Sequence, residues 1–139
     1  MKEIARIIIK GESGYGCIDD AYSDKITITP DSICYLYKPA IESETHIIRK
    51  WSYKTNSPLF LALFQQISNT MTEILNPQIV CDCTDIGATE FIVVYSDKSK
   101  ETRTYFCPAD EFDSCFSLIR HMIPESEMVP ELLRTYEDE

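Results

Sequence analysis

The sequence predicts an α+β fold: a mainly antiparallel sheet of about six to seven strands with two helices packed on it. Three observations carry this expectation. Apolar residues alternate along several short stretches bounded by turn residues. Two longer stretches place apolar residues at helical spacing behind capping signals. The combined pattern also occurs twice. In the first copy Ile33, Tyr35 and Tyr37 alternate, Tyr53 closes a second strand, and Phe60, Leu63, Phe64 and Ile67 mark a helix. In the second, Phe91, Val93 and Tyr95 alternate, Tyr105 follows, and Phe112, Cys115, Phe116 and Ile119 mark another helix. A duplicated strand-strand-helix unit would relate the halves by a pseudo-twofold axis. The strand offsets drift between copies, and any helix lying on a sheet shows this spacing, so duplication and coincidence both remain open.

Residues 3 to 10 read as the first strand, with Ala5, Ile7 and Ile9 on one side and Ile4, Arg6 and Ile8 on the other. A loop follows that holds Gly11, Gly14 and Gly16 and then Asp19, Asp20 and Asp24, the most flexible segment expected. Residues 25 to 29 and 32 to 38 form a hairpin about Thr29-Pro30-Asp31-Ser32, where proline presets one turn torsion and Asp31 can bond its own backbone. Residues 45 to 53 make the next strand, with Ile47, Arg49, Trp51 and Tyr53 alternating and Trp51 and Tyr53 directed to the core.

The first helix, residues 57 to 75, is capped by Asn56 or Ser57, carries Pro58 in its first turn and stops before Asn76-Pro77. Phe60, Leu63, Phe64, Ile67, Met71, Ile74 and Leu75 share one face. Strands are expected at 78 to 84, 89 to 96 and 102 to 107, with a turn about Asp97 to Lys100. The second helix, residues 110 to 123, starts at the capping residue Asp110 and ends before Pro124, with Phe112, Cys115, Phe116, Ile119, Met122 and Ile123 on its apolar face. Residues 125 to 139 form an acidic C-terminal tail in which Met128, Val129, Leu132 and Leu133 can dock a short helical turn. The length of 139 residues suits one domain, whose halves run over 1 to 76 and 77 to 124.

Charge narrows the function classes. Asp and Glu number 23 against 13 Lys and Arg, a net charge of −10, and the short basic runs, Arg49-Lys50 with Lys54 and Lys98-Lys100-Arg103, lie apart. Such a chain repels phosphate backbones, so nucleic-acid binding is disfavoured. An acidic surface can meet a basic partner or imitate nucleic acid toward a nucleic-acid-binding protein, but solubility alone accounts for the charge and is the leading explanation. The run Ile7-Ile8-Ile9 is far too short for a membrane span or a signal core, so the expectation is a cytoplasmic protein with no membrane partner and six reduced cysteines.

No motif names an activity. Cys81 and Cys83 share a strand face and Cys107 ends another strand, which makes them weak metal candidates. Structural zinc takes four ligands, and Cys115 lies on the apolar face of its helix, so no metal or other cofactor is expected. The bland role of all these thiols is burial as small hydrophobes. His121 faces solvent and His46 lies opposite Ile47 and Trp51, neither in a zinc or triad motif. The glycine-rich loop offers Ser13, Tyr15, Cys17 and Asp20 as ligand- or partner-binding residues, but it lacks a Gly-Lys-Ser ending and its carboxylates oppose phosphate. Asp82, between Cys81 and Cys83, sits on the opposite face of its strand.

Two functions from different classes therefore stand. The leading one is a non-enzymatic binding module whose partner is another protein, with Tyr15, Tyr22 and Trp51 as candidate anchors. The alternative is a small-molecule-binding protein or enzyme, with a site near residues 11 to 24 or between the sheet and the helices.

Overall fold

A computed structural model describes residues 3–13, 21–44, 46–75, 87–106, 109–127 and 129–133. The fold is α+β. Six strands, β1 (Ile4–Glu12), β2 (Tyr22–Thr29), β3 (Ser32–Pro39), β4 (Arg49–Lys54), β5 (Thr89–Tyr95) and β6 (Lys100–Tyr105), make one sheet in the order β4-β3-β2-β1-β5-β6, with every neighbouring pair antiparallel. Helix α1 (Pro58–Ile74) follows β4, and α2 (Asp113–Met122) follows β6 through a 3-10 turn, Ala109–Phe112. The hairpins β3–β4 and β5–β6 thus lie at opposite ends of the sheet, each followed by a helix. A twofold axis between β1 and β2 would generate this order; duplication itself stays an expectation from the sequence.

Period-two alternation decides which residues are buried. Ile7 and Ile9 of β1, Ile26 and Ile28 of β2, Ile33 and Tyr35 of β3, and Phe91 and Val93 of β5 point to the helices and are buried. They meet Phe60, Phe64, Ile67, Met71 and Ile74 of α1 and Cys115, Phe116, Ile119 and Met122 of α2. At the α2 end four rings close on one another. Phe112 lies 4.8 Å from Phe91, 5.6 Å from Tyr105 and 5.5 Å from Phe116, centroid to centroid, offset or tilted as ring quadrupoles favour. Helix α1 starts as its sequence dictates, with the Ser57 hydroxyl accepting the Leu59 N–H at 3.2 Å and Pro58 in the first turn.

Several details depart from the sequence expectations. A register shift between Ile4 and Arg6 re-aims the start of β1, so Ile4 pairs with Tyr95 on the helix-covered side and Ala5 takes up the irregularity. Strand β4 starts at Arg49 rather than residue 45. Ser43 N–H bonds the His46 carbonyl at 2.8 Å and the Ser43 hydroxyl accepts the His46 N–H at 3.1 Å, so a local turn consumes the backbone groups that a longer strand would need. Ile47 and Ile48 are exposed as a result. Tyr53 lies on the helix side against Phe60 (6.2 Å) but stays partly exposed. Helix α2 opens through its 3-10 turn, and Phe112 stands at its N-cap without a side-chain hydrogen bond. The expected strand over 78 to 84 lies outside the described residues.

Because Phe112 joins β5, β6 and α2, its truncation should be among the most damaging core changes. Phe112→Ala is expected to lower unfolding free energy by about 3–5 kcal/mol in urea titrations. Thr102→Ala, on the exposed face of β6, should change it by less than about 0.5 kcal/mol.

Candidate functional site

Two places in the fold carry polar chemistry, one closed and one open. The closed one is built on Asp24, which is only 4% exposed. Strand β2 extends back to Tyr22, so Asp24 shares parity with Ile26 and Ile28 and points inward rather than lying in a loop. Its Oδ2 accepts the Tyr35 hydroxyl and the Leu132 N–H, each at 2.9 Å, and the Tyr35 oxygen accepts the Glu131 N–H at 3.2 Å. Glu131 and Leu132 open the C-terminal 3-10 turn, Glu131–Leu133, whose first N–H groups have no partner within the turn. The acid therefore fastens that turn to the sheet and seats Leu133 in the core.

Gly11 makes the arrangement possible. It pairs with Asp24 within β1, and a Cβ there would come within 2.7 Å of both Asp24 Oδ1 and Leu132 Cβ. The glycine is thus a strand residue chosen for space, where the sequence suggested loop flexibility.

Burial dominates the electrostatics. Desolvation pushes the Asp24 carboxyl up to about 6, against its bonds to Tyr35 and Leu132, and the Glu131 carboxylate adds to the rise. Oδ1 is buried without a hydrogen-bond partner among the described residues. Burial and then the neighbouring Asp24 charge push the Tyr35 phenol above its usual range. A carboxyl held near 6 is a common property of proton-transfer groups. Here Oδ2 is committed to two structural bonds and Tyr35 is equally closed off, so the pair works as a clamp.

The sequence-derived candidates separate. The Ser13 hydroxyl accepts the Tyr22 N–H at 3.0 Å and Ser13 N–H reaches the Tyr22 carbonyl, so Ser13 closes the β1–β2 connection. Tyr15, Cys17 and Asp20 lie outside the described residues, as do Cys81, Cys83, Cys107 and Asp82. Among the described residues no cluster of three or more metal-ligating side chains occurs. Cys115 is buried, and burial pushes its thiol up to about 12, which removes its nucleophilicity. Tyr22 stacks on Tyr37 at 5.3 Å and Trp51 leans on Tyr35 at 5.9 Å, so both candidate anchors are engaged within the fold. His121 is exposed, as its helical phase requires. Between α1 and the sheet an open groove of about 680 Å³ is lined by Ile4, Phe64, Met71 and Tyr95 with Glu3 and Glu101.

The open place is the second face of the sheet, on which no helix lies among the described residues. Register assigns its residues without ambiguity. One row runs Thr104, Glu90, Lys10, Lys25, Leu36, Lys50 across all six strands, and the next runs Thr102, Ile92, Ile8, Thr27, Cys34, Ser52. A third row holds Lys100, Val94 and Arg6 at one end and Thr29, Ser32 and Lys54 at the other, and Lys38 pairs with Ser23 beyond the first row. Seven of the chain's 13 basic residues, Arg6, Lys10, Lys25, Lys38, Lys50, Lys54 and Lys100, thus share one face with, among the described residues, two carboxylates, Glu12 and Glu90, in a protein of net charge −10. The lysines come from five strands and are scattered along the chain, which is why the sequence shows only short basic runs. Strand parity is the signal that gathers them.

No family model matches the sequence, and no curated protein matches it.

The clamp makes stability depend on pH in a stated direction. The Asp24 carboxyl binds its proton more tightly when folded, at about 6 against an ordinary 3.8. Its contribution is therefore fully present below about pH 4 and is lost as pH rises through 6. The loss is on the order of 3 kcal/mol. Asp24→Asn, whose carbonyl can still accept from Tyr35 and Leu132, should abolish that slope in chemical-denaturation series between pH 4 and 7. Parallel profiles for the two proteins would contradict the assignment.

Proposed function

We propose that this protein is a non-enzymatic binding module whose partner is another protein and whose working surface is the open face of the sheet. The observation that supports this reading is charge segregation. In a chain with an excess of ten negative charges, the described residues collect a net positive surface on the one sheet face that neither described helix covers. Random placement of lysines on exposed positions would mix the two signs across the surface. Here the cations surround apolar Ile8, Ile92 and Val94, all partly exposed, and Leu36. Residues of that kind between cations suit a partner that brings both apolar area and carboxylates, which is the composition of a protein surface.

The reading replaces the aromatic anchors inferred from sequence, since Tyr22 and Trp51 are occupied by neighbouring rings. The buried acid fits it as well, because a clamp that holds the C-terminal turn stiffens the β1–β2–β3 platform from the covered side.

The test is quantitative affinity capture from source cells with wild-type protein and with the triple variant Lys10→Glu, Lys25→Glu, Lys50→Glu as parallel baits. These side chains lie on the outer face, so the variant should keep the wild-type circular dichroism spectrum and melting cooperativity. The proposal expects proteins enriched on wild type to fall at least tenfold on the variant. Equal enrichment on both baits, or no specific protein on either, would overturn it.

A further inference from the structure

We propose that the open face receives an acidic amphipathic helix lying across the strands; this rests on the binding-module reading and specifies the chemistry of the partner. The row Thr102, Ile92, Ile8, Thr27, Cys34, Ser52 carries no charge on any of the six strands. Cations stand on both sides of it. Lys10, Lys25 and Lys50 lie one residue pair away on one side, and Arg6, Lys54 and Lys100 lie one pair away on the other. Over β2 to β4 the surface is hollowed into a depression of about 610 Å³ lined by Lys25, Thr27, Cys34, Leu36, Lys50 and Ser52, with Tyr35 and Trp51 also bordering it.

Dimensions select the occupant. Five strand spacings make the neutral row about 24 Å long, and the flanking rows of cations stand about 13 Å apart along the strands. A helix is about 10–12 Å across with its side chains, and about sixteen residues of it span 24 Å. Its apolar stripe would rest on Ile92, Ile8 and Cys34, and glutamates or aspartates on its flanks would meet the two cationic rows, the helix-on-surface mode of recognition turned onto a sheet.

The other occupants fit less well. Single-stranded nucleic acid needs aromatic platforms for its bases; these three rows contribute none, and the two rings that border the depression, Tyr35 and Trp51, hold helix-side positions and lean on each other. A flat anionic bilayer would touch the lysine tips and leave half-buried Ile8 and Ile92 beneath them unused. Two copies joined through this face would set cation against cation.

A sixteen-residue synthetic helix with leucines on one stripe and glutamates on both flanks is the probe, measured by fluorescence anisotropy at physiological salt. A peptide of identical composition in scrambled order is its control. Expected are micromolar binding, at least tenfold weaker binding of the scramble, and at least tenfold weaker binding to Lys10→Glu, Lys25→Glu, Lys50→Glu protein. The milder Lys25→Gln, Lys50→Gln variant, checked by its melting curve, should lose about threefold or more. Amide chemical-shift changes should follow β1, β2, β3 and β5. Equal affinity for peptide and scramble, or shifts confined to the helical side, would overturn the proposal, as would tighter binding of a single-stranded oligonucleotide or of phosphatidylserine vesicles than of the peptide. A cell-derived partner lost from the triple variant, together with no binding of this peptide, would retain the module and overturn the helix.

Discussion

Six strands at about 4.8 Å spacing make a sheet roughly 29 Å wide, and among the described residues two helices of about 10 Å diameter lie on one face of it and none on the other. That constraint sets every strand in this protein. Each must present large apolar residues to α1 and α2 and something soluble to the other side, so alternation is enforced from Ile7 and Ile9 in β1 to Phe91 and Val93 in β5. The soluble side could have carried either sign of charge. Its charged positions are mostly lysine, and among the described strand residues only Glu12 and Glu90 bring a carboxylate to this side. The surface of functional interest is thus a by-product of one-sided coverage, given meaning by its sign.

Much of the fold was legible because local and tertiary signals agree. Ser57, Pro58 and a 3.6-residue apolar period define α1 almost to the residue, and Thr29 to Ser32 defines the β2–β3 turn. The hairpin β5–β6 turns through Lys98 at a positive φ of 73°, supported by Asp97 accepting the Ser99 N–H. Where the sequence misled, a competing interaction won. The Ser43–His46 turn shortened β4, and the irregularity at Ala5 moved Ile4 to the covered face. Neither is visible without knowing which backbone groups find partners.

The site was less legible for a different reason. Asp24 looked like one of several loop aspartates, and only its even offset from Ile26 and Ile28 could have placed it inside. Its environment, with Gly11 leaving room for Leu132, depends on contacts more than a hundred residues apart in the chain. The cationic rows depend on register between strands, which one sequence does not state. Lys10, Lys25 and Lys50 are neighbours across a sheet and strangers along the chain. Net charge opposes a phosphate backbone on average, yet it says nothing about how the signs are sorted between faces.

The central claim is that the open face is where this protein meets its partner. Lysine footprinting tests it most directly, by comparing acetylation of each lysine in the free protein and in the complex recovered from cells. The account predicts protection of Lys10, Lys25, Lys50 and Lys54 while Lys98, in the β5–β6 turn, reacts equally in both. Unchanged reactivity of the four outer-face lysines in a stoichiometric complex would contradict it.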